Sequence, residues 1–329
     1  MKYGNISGLD KPVSRIIHGT IALDPSTVDR DFPLMDQLLE AGCTTFDTAH
    51  IYGGGNNERI FGRWMRERGV RDQVVILAKG AHHNQDRKRV TPWDISADLH
   101  DTLARMQVEY VDLYILHRDD PDVPVGPIVE TLNEHVRAGK IRAFGGSNWT
   151  HDRIKAANDY ARERNLIPFA VSNPNYSLAV QIEEPWSGCV SISGDAGVEA
   201  REYYHSQGTA VFSWSSLASG FFSGRIGRDS LNPGSDLGGV QNYLNETCRR
   251  CYCSEENFQR LDRVQQLAKE KGATVPEIAL AYIFNQGLDL YALTASANAE
   301  EFASSAKSLE IELTPEESAW LDLGADSPA

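Results

Sequence analysis

The chain contains 329 residues, of which 41% are hydrophobic and 24% are charged. This balance is typical of a globular protein and not of a disordered or membrane-embedded one. The formal net charge of −14 would repel phosphate backbones and anionic lipids, which argues against nucleic-acid and membrane partners. Five cysteines do not suggest a disulfide framework, and residues 1–5 do not open an apolar signal sequence. We therefore expect a cytoplasmic protein.

Short apolar runs alternate with amphipathic stretches along the chain, and no segment has the composition of a linker. The apolar runs predict eight β-strands, at residues 14–19, 44–47, 74–79, 111–117, 141–147, 169–173, 210–214 and 288–295. Most of these strands end roughly 30 to 40 residues after the previous one, close to the length of one strand–helix–strand step. The last interval is much longer, and it leaves room for extra helices and a long loop after the seventh strand.

The amphipathic stretches predict helices between these strands. After the third strand, Thr91 is a candidate N-cap, Pro92 occupies the first helical position, and apolar residues recur at helical spacing over residues 95–106. Further apolar stripes and capping-box patterns predict helices at residues 128–136, 258–267 and 278–285 and after Thr314.

Strands that alternate with helices favour a parallel sheet, either a closed (β/α)8 barrel or an open doubly wound sheet. The dinucleotide pattern G-x-G-x-x-G is absent after the first strand, and Gly53-Gly54-Gly55 after the second strand lacks its spacing. We therefore predict an α/β protein with a (β/α)8 TIM-barrel fold that forms one domain over residues 1–329. In such a barrel the chemistry takes place at the C-terminal ends of the strands.

Titratable residues stand at three consecutive predicted strand ends. Asp47 ends the second strand and is followed by Tyr52, Lys79 ends the third, and His117 ends the fourth. An ammonium group stabilises a nearby phenolate and lowers the pKa of the tyrosine, and a carboxylate holds the ammonium in place. An imidazole can orient a carbonyl oxygen by a hydrogen bond. The four residues together therefore suit a general acid that protonates a carbonyl oxygen.

The local sequences around these residues resemble the aldo-keto reductase family. The resemblance is carried by Phe46-Asp47-Thr48-Ala49-His50-Ile51-Tyr52-Gly53, Lys79, Leu116-His117, Lys140-Ile141-Arg142-Ala143-Phe144-Gly145-Gly146-Ser147-Asn148 and Trp214-Ser215-Ser216-Leu217-Ala218-Ser219-Gly220. It extends from about residue 14 to residue 323. It implies an oxidoreductase that uses NADP(H) or NAD(H), with Tyr52, Lys79, Asp47 and His117 as catalytic residues and Tyr52 as the proton donor.

The resemblance also implies a cofactor site. Its residues would be Gly19, Thr20, Asp47, Ser147, Asn148, Asn173, Trp214, Ser215, Ser216, Leu217, Ser219, Gly220, Ala295, Ser296 and Ala297. Ser147, Asn148 and Asn173 would hold the nicotinamide carboxamide. Trp214 would stack on the nicotinamide ring, and the loop after it would wrap the pyrophosphate.

Several positions depart from the family pattern. Asn173 stands where the family usually has glutamine, Trp214 where it has tyrosine, and Ser216 where it has proline. After the eighth strand, where NADP-preferring members carry cations, residues 294–301 contain no arginine or lysine. We therefore expect weak discrimination between NADP and NAD, unless Arg225 or Arg228 reaches the 2′-phosphate from the loop after strand seven.

Cys248, Cys251 and Cys253 form a C-x2-C-x-C pattern in the long connection after strand seven. A zinc site would need a fourth ligand at suitable spacing, and none is present nearby. We predict no metal site, and we interpret the three cysteines as loop thiols, either inert or made redox-sensitive by the neighbouring Arg249 and Arg250.

The substrate is less well defined. Side chains that could surround the mouth of the site are His82, His83, Arg118, Asp119, Asp120, Trp149 and Trp186. This mixture favours a small-molecule partner of the sugar, polyol or oxygen-rich natural-product type. Two other functions remain open: a cofactor-binding regulatory subunit, and a non-redox lyase or epimerase with a tightly held cofactor.

Overall fold

The computed structural model describes residues 1–231 and 242–328. The strands in these residues are Tyr3–Gly4 (β1), Val13–Ser14 (β2), Ile16–Gly19 (β3), Thr45–Asp47 (β4), Val75–Gly80 (β5), Val111–Leu116 (β6), Ile141–Ser147 (β7), Val171–Asn173 (β8), Ala210–Ser213 (β9) and Leu290–Thr294 (β10). The α-helices are Val28–Glu40 (α1), Asn56–Arg68 (α2), Pro92–Met106 (α3), Val125–Arg137 (α4), His151–Glu163 (α5), Val198–Gln207 (α6), Asn242–Tyr252 (α7), Glu255–Lys271 (α8), Val275–Phe284 (α9), Ala299–Lys307 (α10) and Pro315–Leu321 (α11).

Strands β3 to β10 form a closed barrel in chain order, and β10 completes it by pairing with β3. Every neighbouring pair in the barrel is parallel. The predicted barrel is therefore confirmed, and the open sheet is excluded. The first predicted strand is divided in two, since Ser14 pairs with Tyr3 in the antiparallel β1–β2 hairpin and the barrel strand begins at Ile16.

The alternation of side chains along β5 explains how a lysine enters the barrel. Val75 and Leu77 belong to the apolar cluster inside the barrel, whereas Ile76 and Ala78 pack in the layer between strands and helices. Because successive strand residues point to opposite faces, Lys79 lies on the inner face at the C-terminal end of β5. Apolar side chains fill the barrel below it, so polar groups gather at its C-terminal mouth.

The predicted helix starts are confirmed by their capping contacts. The Thr91 side chain accepts a hydrogen bond from the Asp94 backbone N–H at the start of α3. Thr274 and Thr314 each form a complete capping box, at the starts of α9 and α11. In such a box the threonine and the glutamate three residues later each satisfy a free N–H of the first helical turn.

The connection from β9 to β10 contains α7, α8 and α9. The helices predicted over residues 258–267 and 278–285 are present as α8 and α9, whereas α7 was not predicted. Part of the predicted long loop, residues 232–241, lies outside the described residues. Within residues 1–231 and 242–328, no helix is both long enough and apolar enough to span a membrane.

Candidate active site

A cavity of about 650 Å³ opens at the C-terminal ends of the barrel strands, within the range of about 300–1,000 Å³ occupied by small-molecule and cofactor sites. Most of the residues predicted from the sequence line it: Gly19, Asp47, Tyr52, Lys79, His117, Ser147, Asn148, Asn173, Trp214, Ser215, Ser216, Leu217, Ser219, Gly220, Ala295 and Ser296. Two predicted residues do not line it: Thr20, which is buried, and Ala297, which is exposed.

Asp47 and Lys79 form a buried ion pair at the mouth of the barrel. Lys79 Nζ donates to Asp47 Oδ1, and the two side chains are only 4% and 5% exposed. Burial alone would lower the pKa of the Lys79 ammonium. The Asp47 carboxylate and the Tyr52 phenol raise it by more, so the net pKa lies above its ordinary value. Lys79 therefore keeps its positive charge beside Tyr52.

The half-buried Tyr52 ring lies next to this ammonium, with Lys79 Nζ 5.2 Å from the ring centroid. Burial raises the pKa of the Tyr52 hydroxyl above its ordinary value, while the Lys79 charge acts in the opposite direction. The sequence predicted that Lys79 lowers this pKa, and the ammonium does act in that direction, but burial outweighs it and the net shift is upward. A phenol in this environment keeps its proton at neutral pH, as a proton donor must.

The segment that carries Tyr52 turns through three glycines. Gly53, Gly54 and Gly55 have φ values of 54°, 61° and 89°, a region that residues with a Cβ rarely adopt. At Gly55 an added Cβ would lie 2.6 Å from Arg105 Cζ. The glycine run is therefore required by the sharp turn that places Tyr52 at the cavity and by the close approach of Arg105.

Arg105 ties this segment to α3 and neutralises a fully buried carboxylate. It donates to the His50 carbonyl at 2.8 Å and to Glu58 Oε2 at 2.9 Å. Thr102 donates to the other Glu58 oxygen at 2.6 Å. Since removal of one partner leaves a buried charge unpaired, we expect Arg105→Met to lower the free energy of unfolding by about 3 kcal/mol.

Urea unfolding of the wild type and the variant measures this effect. The double variant Glu58→Gln/Arg105→Met should recover part of the loss, because it no longer buries an unpaired carboxylate. Lys155→Met, which removes an exposed ion pair on α5, is the matched control and should unfold like the wild type. Equal stability of Arg105→Met and the wild type would show that Arg105 does not anchor this segment.

His117 lies beside Tyr52 as a neutral imidazole. Its ring meets the Tyr52 ring edge-on, with the centroids 5.8 Å apart, and it meets the His82 ring at 4.8 Å. Burial, reinforced by the Lys79 charge, lowers the pKa of His117 well below its ordinary value. A neutral imidazole can orient a carbonyl oxygen by a hydrogen bond without replacing Tyr52 as the acid.

Ser147, Asn148 and Asn173 form a network at the ends of β7 and β8. Asn148 Nδ2 donates to Ser147 Oγ at 3.2 Å and to the His117 carbonyl at 3.3 Å. Ser147 Oγ donates in turn to the Asn173 carbonyl at 3.0 Å. The Asn173 amide nitrogen donates to the Phe212 carbonyl, so the Asn173 side-chain oxygen is the atom that can accept a hydrogen bond from a ligand.

Trp214 forms a flat part of the cavity wall just after β9. Its indole N–H is buried and has no hydrogen-bond partner in the part of the chain that the structure describes. Trp186 lies opposite, with the ring centroids 6.4 Å apart and the planes inclined by 52°. The indole face of Trp214 is suited to stacking against another flat ring.

The loop of residues 215–220 continues this wall. Ser215 and Ser219 have left-handed backbone conformations, with φ values of 50° and 53°, and their hydroxyl oxygens lie 3.5 Å apart. The Ser216 hydroxyl instead pairs with Ser213 Oγ at 2.8 Å and braces the loop against β9. Side-chain contacts to a phosphate group from this loop would therefore come from Ser215 and Ser219.

Residues 295–297 and the start of α10 form the far end of the cavity. Glu301 accepts a hydrogen bond from the Ala297 backbone N–H at 2.9 Å and lies 3.5 Å from the Arg225 guanidinium. Arg225 lines the cavity. The loop after β9 therefore brings a cation close to residues 294–301, which contain no arginine or lysine themselves. Arg228 pairs instead with carboxylates of α8.

The predicted polar rim of the mouth is only partly available to a substrate. Asp119 is paired with Arg153 at 3.0 Å, and Asp120 is paired with Lys88 at 2.8 Å. Trp149 is fully buried. The mouth residues that line the cavity are Arg118, Trp186 and Cys189, whereas His82 and His83 do not line it. Cys189 was not predicted from the sequence, because no recognisable motif surrounds it.

The three clustered cysteines are not all loop thiols as predicted. Cys248 and Cys251 lie on α7 and are buried, and only Cys253 follows the helix. The sequence of α7 is mostly polar, and part of its buried side consists of the cysteines. A search for regularly spaced large apolar residues therefore does not detect this helix. No group of three or more His, Cys, Asp or Glu side chains is placed to hold a metal ion in the described ranges.

Comparisons with known proteins match nearly the whole chain. Residues 15–323 match the model of the aldo/keto reductase family. The chain is 26% identical over 329 residues to the uncharacterized oxidoreductase YrpG of Bacillus subtilis (strain 168), covering 96% of this chain and 93% of that protein.

Two solved structures share the fold. One is a thermostable aldo-keto reductase in complex with the inhibitor epalrestat, with 21% identity, a TM-score of 0.72, and coverage of 99% of this chain and 100% of that one. The other is a glycerol dehydrogenase from Gluconobacter oxydans, with 24% identity, a TM-score of 0.74, and coverage of 97% and 94%. This chain belongs to the aldo/keto reductase family and is an NAD(P)-dependent oxidoreductase that acts on carbonyl or alcohol groups.

Proposed function

We propose that this protein reduces an aldehyde or ketone to an alcohol, with Tyr52 as the proton donor. The observation that carries the proposal is the buried Lys79–Asp47 pair beside the Tyr52 ring, with a neutral His117 next to it. Tyr52 would give its proton to the carbonyl oxygen, and Lys79 would stabilise the phenolate that forms. His117 would orient the carbonyl oxygen by a hydrogen bond.

The cavity suits a nicotinamide dinucleotide because it runs from Tyr52 past Trp214 to the start of α10. Its wall contains an amide network, an indole face with an unpartnered N–H and a hydroxyl-bearing loop, in that order. Ser147, Asn148 and Asn173 would hold the carboxamide, Trp214 would stack on the nicotinamide, and residues 215–220 would hold the pyrophosphate. The bound reduced cofactor supplies the hydride. The carbonyl group thus gains one hydride at carbon and one proton at oxygen, and solvent restores the Tyr52 proton.

The mouth of the site favours an oxygen-rich carbonyl compound over a plain aliphatic aldehyde. Trp186 offers a face on which a sugar ring can stack, and Arg118 offers hydrogen-bond donors. Oxidation of NADH and of NADPH should be followed with glyceraldehyde, several sugar aldehydes and butanal as substrates. We expect reduction of at least the hydroxylated aldehydes, with a higher kcat/KM than for butanal. Failure to oxidise either nucleotide with any carbonyl compound would contradict the proposal.

Cofactor choice follows from the contacts of Glu301. A 2′-phosphate at the far end of the cavity would meet Arg225, but Glu301 already pairs with that guanidinium and occupies the Ala297 N–H. We therefore predict less than about tenfold discrimination between NADP and NAD, equivalent to about 1.4 kcal/mol. Glu301→Gln should strengthen NADP binding by about tenfold, since it frees Arg225 for a charge-assisted contact with phosphate.

Titration of both dinucleotides against each protein, by quenching of tryptophan fluorescence, measures this prediction. Glu256→Gln, which removes an exposed carboxylate on α8, controls for the change in net charge and should bind both dinucleotides like the wild type. A preference of the wild type for NADP of a hundredfold or more would show that Arg225 holds the phosphate in spite of Glu301.

A further inference from the structure

Arg118 is a buried cation without a counter-charge. Its residue is 5% exposed and lines the cavity. In the part of the chain that the structure describes, no carboxylate lies within ion-pair distance of its guanidinium. Buried arginines are rarely left without an acidic partner, because removal of the charge from water is costly unless an opposite charge compensates.

Two neutral groups hold the Arg118 side chain in place. His82 Nδ1 lies 2.7 Å from the His83 carbonyl, so that nitrogen carries the proton and donates, and Nε2 is left with a lone pair. His82 Nε2 accepts from Arg118 Nε at 3.4 Å, and Cys189 Sγ accepts from Arg118 Nη1 at 3.1 Å. Burial lowers the pKa of His82 to about 4, which is consistent with its neutral, accepting state.

These contacts fix the guanidinium without cancelling its charge. An imidazole and a thiol sulfur are neutral acceptors, and they leave the Arg118 Nη2 donors without a partner in the described ranges. The carboxylates nearest in the chain are not available, since Asp119 is paired with Arg153 and Asp120 with Lys88. At the base of the site, Asp47 is paired with Lys79.

The uncompensated charge lies next to the reacting groups. His82 contacts Arg118 on one side, and its ring centroid lies 4.8 Å from that of His117 on the other. One imidazole therefore separates the guanidinium from the group that would orient the carbonyl. Arg118, Tyr52 and His117 line the same cavity, so one small molecule has room to contact all three.

We propose that Arg118 binds a carboxylate on the substrate, and that the natural substrate is a carbonyl compound bearing an acid group. The proposal rests on the function proposed above and narrows its substrate class. A carboxylate is planar and matches the fork of the guanidinium by two parallel hydrogen bonds, which a lysine in this position could not supply. It would also supply the counter-charge that Arg118 lacks.

Matched pairs of acid and amide test this assignment. The probes are 3-formylbenzoate and 4-formylbenzoate, each compared with its carboxamide, which has the same shape without the charge. We expect kcat/KM of the wild type to be at least about tenfold higher for the better acid than for its amide. Arg118→Met should lower kcat/KM for that acid by about ten- to a hundredfold, and for the amide by less than about threefold.

Two further variants keep the test independent of folding. Arg118→Lys retains the positive charge but not the planar guanidinium fork. Its kcat/KM for the acid should lie between the values of the wild type and of Arg118→Met. Lys88→Met removes a cation near the mouth that is 49% exposed and already paired, and it should leave the acid-to-amide ratio unchanged. Equal losses on acid and amide in Arg118→Met would show a purely structural role and overturn the proposal.

A binding measurement separates this proposal from the proposed reduction. Calorimetric titration with 3-(hydroxymethyl)benzoate and its amide, the expected products, needs no turnover. Binding of the acid that depends on Arg118, without reduction of any aldehyde, would support the anion site and contradict the reductase function. Reduction of both aldehydes without preference, together with equal binding of both alcohols, would support the reductase function and overturn the anion site.

Discussion

Tyr52→Phe should lower kcat for carbonyl reduction by about 10²–10⁴-fold, the usual loss when a general acid is removed. The phenylalanine ring can still pack against His117 and Lys79, at the positions where the tyrosine ring lies in the structure. Dinucleotide affinity should therefore be nearly unchanged. Steady-state rates with an accepted aldehyde, together with fluorescence titration of the cofactor, measure both quantities.

Tyr160→Phe is the matched control for this experiment. It removes a surface hydroxyl whose one hydrogen-bond partner among the described residues is Glu130, and it should have wild-type kinetics. A Tyr52→Phe variant that retains wild-type kcat would show that another group, or water, protonates the substrate. Loss of cofactor binding in the same variant would indicate that the hydroxyl contributes to the dinucleotide site.

Lys79→Met should abolish most activity in both directions, with a loss of about 10²-fold or more at neutral pH. The ammonium holds the pKa of Tyr52 below the value that burial alone would set. Without it, the phenolate that forms during reduction is no longer stabilised by a neighbouring positive charge. Methionine has a similar length to lysine, so the change mainly removes the charge.

The pH dependence of alcohol oxidation shows whether Lys79 lowers or raises the pKa of Tyr52. Oxidation needs Tyr52 as phenolate, so its rate rises with pH through the pKa of the hydroxyl. Removal of Lys79 raises that pKa further, and the rising part of the profile should move to higher pH. An oxidation profile of Lys79→Met that coincides with the wild-type profile would show that Lys79 does not tune Tyr52.

Strand and helix positions could be predicted where the signal is local. The apolar run of β5 and the capping boxes at Thr274 and Thr314 are contained in a few consecutive residues. The β1–β2 hairpin was not predicted, because strands of two residues have no detectable periodicity. Helix α7 was not predicted either, because its buried side includes cysteines within a polar sequence.

The sequence motifs predicted which side chains meet in the candidate site. They did not predict how burial and neighbouring charges set the pKa values there, or which distant residues pair. The net rise in the pKa of Tyr52 depends on burial, which no motif encodes. The contact between Arg118 and Cys189 joins residues separated by 71 positions, and the pairing of Arg225 with Glu301 likewise depends on how distant segments fold together. The roles assigned to Ser147, Asn148, Asn173 and Trp214 toward the cofactor stay predictions.

Hydride transfer from the nicotinamide to the substrate can be followed with an isotope label. The protein should be incubated with 4-formylbenzoate and NADH carrying deuterium at both C4 positions, and the alcohol product analysed by mass spectrometry. We expect one deuterium per product molecule, located on the carbinol carbon, and a rate that falls sharply in Tyr52→Phe. Absence of any alcohol product, or an alcohol product whose carbinol carbon carries no deuterium, would contradict this expectation.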